Sequence, residues 1–279
     1  MANYPQLDDT VGVWKLKDVN DAVMGGYWRL ADPRGGRAIT QGGGSPNATA
    51  SMDFVNIASA GDAAVFGDLS AANSSSTSFS SFTRGVFNGG ANPGNSDKQE
   101  YVTIASTGNA ADFGNLTDAV NLPSGCSNET RGLVAGGRDP GMSNIISYNT
   151  IASTGNAVDF GDLTAARHTQ AVSNQVHMFA GGGSNTNSID KISFTNLANS
   201  IDFGDLTKTF NVHMAASDGH GGLNDSNYIG IQRPSVTYMT GSGRAVIHVN
   251  NGDYDFFNIN TQGTTANFAD QRVSHSSAA

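Results

Sequence analysis

One phrase recurs along the chain and limits what it can fold into. Residues 101–117 read YVTIASTGNAADFGNLT and residues 148–164 read YNTIASTGNAVDFGDLT. Residues 54–70 give FVNIASAGDAAVFGDLS, residues 194–207 a trimmed FTNLANSIDFGDLT, and residues 257–271 a decayed FNINTQGTTANFADQ. The phenylalanine of the F-G-D-L core falls at Phe66, Phe113, Phe160, Phe203 and Phe268, at spacings of 47, 47, 43 and 65 residues. Self-similarity at such a period marks a repeat architecture, in which each unit buries its apolar face only by stacking on its neighbours.

A second phrase runs in step with the first. R-A-I-T-Q-G-G at 37–43 matches R-G-V-F-N-G-G at 84–90 and R-G-L-V-A-G-G at 131–137, with a poorer copy at 176–182 and a decayed one at 244–250. A unit therefore holds an R-G-apolar-apolar strand ending in Gly-Gly, a variable turn, the Y-x-T-I-A-S strand, an S-T-G-N turn and the F-G-D-L strand. The stretch after F-G-D-L, such as 122–127 or 171–174, supplies a fourth strand. Thr-Gly-Asn is read as a short hairpin turn with positive-φ positions. Four short antiparallel strands per 43–47 residues is the period of a β-propeller blade, and units this rich in glycine cannot form amphipathic helices.

The expected fold is all-β, a single β-propeller over residues 35–279 with five blades, or six if the irregular insertion at about 208–235 hides a divergent unit. The segment 256–279 begins a unit and stops before its R-G strand, whereas 35–44 supplies such a strand. Pairing of these two segments in one shared blade is the expected closure of the ring, which would leave no open sheet edge.

Residues 1–34 stand outside the repeat. Val13, Trp14 and Leu16, with Val11, Val19 and Val23, are apolar at roughly helical spacing, Asp9 or Thr10 fits a cap, and Gly25-Gly26 fits a stop. Tyr27 and Trp28 follow. Both tryptophans of the chain lie here, which favours a short helical arm that docks the domain onto a larger assembly over one that plugs or flanks it.

Composition removes several classes of function. A net charge of −9 argues against binding a phosphate backbone, which requires clustered Lys and Arg. No apolar run approaches membrane-spanning length, so no membrane insertion is expected. The N-terminus MANYPQLDD has neither a basic nor an apolar targeting region, so the chain is expected to be made in a cytosol. The single cysteine, Cys126, excludes an intrachain disulfide framework and a Cys-rich zinc site, and its apolar setting reads as a small buried residue.

No singular catalytic set stands out. The Asp pairs around F-G-D, Asp159 with Asp162 and Asp202 with Asp205, recur in several units, whereas an active site is built once. Their expected role is to accept backbone N–H bonds. Arg37, Arg84, Arg131 and Arg244 also follow the repeat, and are expected to hold strand-end carbonyls or a neighbouring Asp. His213, Asp218 and His220 fall in the irregular segment and are the candidate loop contacts for a ligand. No cofactor or metal is expected.

The double-glycine strands resemble Kelch repeats, although the aromatic pattern that normally follows is reduced to the Tyr of Y-x-T-I-A-S. Residues 101–117 and 148–167 more closely resemble the Kelch-like repeats of structural proteins in tailed bacteriophages, especially marine and cyanobacterial ones. The leader G-V-W-x-L-x-x-V at 12–19 with Gly26-Tyr27-Trp28 is similar to the segment preceding such repeats. The resemblance implies a non-enzymatic virion component, a tail, fibre or capsid-surface protein present in many copies. Its partners would be other virion proteins and a host-surface glycan or receptor. The alternative is a glycan-binding, lectin-like propeller; a propeller glycan lyase or hydrolase with its site in the 208–235 insertion is a third reading.

Overall fold

The computed structural model describes residues 36–44, 47–57, 61–91, 93–174, 176–211, 214–217, 244–249, 253–258 and 266–270. Among them every regular element is a strand and none is a helix. The docking candidates Val13, Trp14, Leu16, Tyr27 and Trp28, together with the whole 1–34 arm, lie outside the described residues.

The strands form five successive antiparallel sheets, one for each F-G-D-L core. The first contains β1 (Arg37–Gln41), β2 (Thr49–Asn56) and β3 (Ala64–Asn73). The second contains β4 (Thr77–Ser80), β5 (Arg84–Asn88), β6 (Ser96–Thr103) and β7 (Ala111–Val120). The third begins with β8 (Ser124–Ser127) and β9 (Arg131–Ala135). It is interrupted by a small hairpin, β10 (Arg138–Asp139) with β11 (Gly141–Met142), and finishes with β12 (Ile145–Thr150) and β13 (Val158–Asp162). The fourth contains β14 (Gln170–Ser173), β15 (His177–Gly183), β16 (Thr186–Ser193) and β17 (Ile201–Phe210). The fifth contains β18 (Met214–Ser217), β19 (Arg244–Val249), β20 (Asp253–Asn258) and β21 (Ala266–Asp270). Within each of the five, strands pair in chain order.

This topology corrects the unit boundary expected from sequence. The short strand after F-G-D-L pairs forward, not back: β8 pairs with β9 of the third sheet, and β4 with β5 of the second. A sheet therefore begins with the short strand and ends with F-G-D-L. Among the described residues, 36–44 and 256–270 share no sheet, so the expected shared blade is not formed by these parts of the two segments. β1, within 35–44, pairs with β2 of its own sheet, while β20 and β21 complete the fifth sheet; residues 271–279 lie outside the described residues. The expected insertion at 208–235 is partly regular, since β17 runs to Phe210 and β18 spans 214–217.

The cores sit between sheets, not within them. Met52, Phe66 and Leu69 of the first sheet pack on Phe87 and Val102 of the second. Phe113, Leu116 and Val120 of the second meet Val134 and Ile151 of the third. Phe160 and Leu163 of the third meet Met178, Ala180 and Ile192 of the fourth, and Phe203 and Leu206 of the fourth meet Ala245 and Ile247 of the fifth. Each join buries several large apolar side chains, each contributing about 1.5–3 kcal/mol. The short first strands also adjoin one another, β4 against β8, β8 against β14 and β14 against β18.

A bulge explains why F-x-x-L works in a strand whose side chains should alternate. In β7, Asp112 pairs with Glu100 and Gly114 with Gln99, so Phe113 is the extra residue. The same shift recurs at Phe66, Phe160, Phe203 and Phe268. One inserted residue resets the alternation, which puts Phe and the Leu three places later on one buried face. Phe66, Phe113, Phe160 and Phe203 are at most 3% exposed.

Candidate functional site

The residues singled out by the repeat meet at the joins between sheets, and the same small set is used each time. Arg37 Nη1 donates to the Ile104 carbonyl (3.0 Å), Arg84 Nη1 to that of Ile151 (3.1 Å) and Arg131 Nη1 to that of Phe194 (2.6 Å). Each acceptor belongs to the following sheet. The guanidinium carbons also lie over an aromatic ring of their own sheet, 4.7 Å from the Phe54 centroid, 4.8 Å from Tyr101 and 5.2 Å from Tyr148. Those rings in turn meet Phe66, Phe113 and Phe160 edge-on at 5.7–5.9 Å. Cation–π contact and a charge-assisted hydrogen bond act together, so the arginine clamps one sheet to the next.

The S-T-G-N segment is the second part of the join, and it is not the positive-φ hairpin turn expected from sequence. Gly108 and Gly155 have nearly extended backbone, with φ of 158° and 156°. Gly108 N–H donates to the Phe66 carbonyl (2.8 Å) and Ala110 N–H to that of Asp68 (2.9 Å), while Asn109 Oδ1 accepts the Asp68 N–H (3.1 Å). In the next join Gly155 and Ala157 bond Phe113 and Asn115 in the same way, and Asn156 Oδ1 accepts the Asn115 N–H. In the third, Ser200 bonds the Asp162 carbonyl and Asn199 Oδ1 accepts the Asp162 N–H. The loop thus lies on the outer F-G-D strand of the preceding sheet and satisfies its edge. A Cβ at Gly67, Gly114 or Gly161 would stand 2.2, 2.4 or 2.7 Å from that loop's backbone, which is why F-G-D needs its glycine.

Two of the four carboxylates named from sequence accept backbone N–H bonds. Asp159 Oδ1 accepts the Gly161 N–H and Asp202 Oδ1 the Gly204 N–H, each at 3.1 Å. Asp162 contributes main-chain groups to the clasp, and Asp205 pairs with Ser188 in the ladder. The side chain of Arg244 and the residues His213, Asp218 and His220 lie outside what is described. Among the described residues no group of three or more His, Cys, Asp or Glu is placed to hold a metal ion, and no helix is long and apolar enough to cross a membrane.

The third part of the join was not anticipated from sequence. One position of the middle strand, occupied by Glu100, Ser147 and Asp190, reaches back to the residue after F-G-D-L of the preceding sheet. Glu100 Oε1 accepts the Ser70 N–H (3.0 Å), Ser147 and Thr117 share a hydroxyl bond (2.6 Å), and Asp190 accepts from Thr164 N (2.8 Å) and Oγ1 (2.6 Å). Asp190 also pairs with Arg167 Nη2 at 3.2 Å, both side chains being within 1% of full burial. Arg167 stands where Val120 and Asn73 stand in other units. That departure from the repeat was the signal that could have revealed the pair. A further buried link joins Gln99 Nε2 to Asn88 Oδ1 (2.6 Å) and, in the next sheet, to Asn149 Oδ1 (2.8 Å).

His177 occupies the clamp position in the fourth sheet, and Lys191 takes the place of Tyr101 and Tyr148. Burial, with Lys191 nearby, holds the His177 imidazole below its ordinary range. Cys126 is buried as expected, and burial pushes its thiol up to about 12.

These joins define an all-β repeat protein whose consecutive antiparallel sheets are fastened face to face by side chains drawn from the repeat. No protein-family model matches the chain, and no curated protein matches it at a significant level.

Proposed function

We propose that the five sheets are the blades of one propeller and that the protein is a non-enzymatic structural component of a tailed-phage particle. In this reading the short strands β4, β8, β14 and β18 line the axis and polar loops face outward. Residues 1–34 dock the domain onto other virion proteins, and the exposed loops meet the host surface.

One observation carries the structural half of the reading. The repeated Arg37, Arg84 and Arg131 and the repeated Asn109, Asn156 and Asn199 fasten one sheet to the next, which is what a rigid display module requires. The particle itself is proposed from the likeness of residues 101–117 and 148–167 to phage Kelch-like repeats.

Particles purified from the phage that carries the gene test this directly. The full chain is expected in them by mass spectrometry and by antibody labelling in electron micrographs, and a chain lacking residues 1–34 is expected to stay in the soluble fraction. Absence of the full chain from particles overturns the virion reading. Normal incorporation of the truncated chain overturns the docking role of the arm.

A further inference from the structure

One place recurs at each join, between the end of an outer strand and the middle strand of the next sheet. Between the third and fourth sheets it is filled by the Arg167 guanidinium on Asp190. Between the second and third, Val120 and Ile145 line it and leave a cavity of about 10 Å³. Between the first and second it is an open cleft of about 60 Å³, walled by Leu69, Ala71, Asn73 and Phe87, with Lys98 and Glu100. Asn73 stands where Val120 and Arg167 stand, but its amide is engaged elsewhere: Nδ2 donates to the Gly89 carbonyl (2.8 Å), and Oδ1 accepts the Ser74 N–H (2.9 Å). Lys98 stands where Ile145 stands, and its Nζ donates to Ser70 Oγ.

The two carboxylates at this place are supplied very differently. Asp190 receives Thr164 N and Oγ1, Ser200 Oγ (3.0 Å) and the Arg167 guanidinium. Among the described residues Glu100, at 7% exposed, receives the Ser70 N–H alone. A buried carboxylate short of donors is costly, so the cleft lacks a group that the other join supplies from its own chain. Lys98 lies two residues from Glu100 in β6, hence on the same face, and is exposed at the mouth of the cleft. Ser70 keeps the two apart, holding the carboxylate through its N–H and the ammonium through its hydroxyl. An ammonium has three donors, and the contact with Ser70 uses one.

We propose that this cleft binds a small zwitterion, an amino acid of the size of glycine or β-alanine, with its ammonium on Glu100 and its carboxylate on Lys98. A cation alone would meet Lys98 and an anion alone would meet Glu100, so a ligand carrying both charges is selected. The space sets the size: about 60 Å³ takes about four to six non-hydrogen atoms, at about 10–15 Å³ for each water-sized one. The site is not repeated at the next two joins. Ser147 and Ile145 replace the charges at one, and Arg167 already occupies the other.

Ligand-observed NMR titrations of the full chain with glycine and with β-alanine test the site, against ethylamine as a cation alone and acetate as an anion alone. Saturable binding of the zwitterions is expected, with each single-charge probe weaker by about tenfold or more, the worth of one charge-assisted hydrogen bond. Glu100→Gln and Lys98→Met should each lower the affinity for glycine by about tenfold or more for the same reason. Ala71→Leu, at an exposed position on the wall, fills the cleft and leaves both charges in place; it should abolish binding with the thermal midpoint unchanged. Binding that survives Ala71→Leu, equal binding of ethylamine or acetate, or no saturable binding of either zwitterion overturns the proposal.

Discussion

A Cβ built on Gly114 would stand 2.4 Å from the carbonyl oxygen of Gly155, a residue of the following sheet. Gly155 in turn donates its N–H to the carbonyl of Phe113 at 2.7 Å. The outer strand of one sheet and the T-G-N loop of the next are therefore in backbone contact, with no room for a side chain between them. Gly114→Ala is expected to push the two sheets apart and cost about 1–3 kcal/mol, the usual cost of overpacking. Gly61→Ala, where an added Cβ meets nothing within 4 Å, is the matched control and is expected to stay within about 0.5 kcal/mol. Chemical denaturation of both variants checks the contrast.

The arginine clamp predicts that charge alone is not enough. Arg84 reaches the Ile151 carbonyl while its guanidinium plane lies over Tyr101. Arg84→Lys keeps the charge and loses the planar stacking, so it should recover less than half of the roughly 1–2 kcal/mol lost in Arg84→Ala. Full recovery by lysine would mean that the ring contact contributes nothing. Thermal unfolding of the two variants against the parent measures this.

The Arg167–Asp190 pair should behave as a buried ion pair with a ready replacement. Arg167→Val alone leaves the Asp190 carboxylate buried and uncompensated, and should cost about 3–5 kcal/mol. Adding Asp190→Ser installs the residues that the preceding join uses, Val120 and Ser147, and should recover most of the loss. A double-mutant cycle by denaturant unfolding gives the coupling. A double variant no better than Arg167→Val would show that this join differs from its neighbour in more than one pair.

Cys126 sets an alkaline limit. Its ordinary thiol value is 9.0, and in the fold burial raises it to about 12 while Ser173 pulls weakly the other way. The native state therefore keeps the proton that the unfolded chain releases. The stability this contributes is complete below pH 9 and falls as pH rises from 9 towards 12. Iodoacetamide at pH 8 is expected to leave native Cys126 unmodified and to label it fully in denaturant, with mass spectrometry as the readout. Cys126→Ala should remove this part of the alkaline loss.

The spacing leaves the number of units between five and six, while the all-β character, the strands of the full repeat units and the structural use of the repeated Arg and Asp were legible in the chain alone. They are local or periodic properties: apolar alternation, Gly-Gly corners and a spacing of 43–47 residues are present in every copy. Tertiary structure decided where a unit begins. A repeating text reads the same from any starting point, so only hydrogen-bond pairing shows that β8 belongs with β9 and not with β7. It also decided that Asn109 and Asn156 face another sheet instead of their own turn, because the acceptor's partner lies 41 residues away. The pairing of Arg167 with Asp190 was settled in the same way: single departures from a repeat become an interaction only when packing brings two of them to one join.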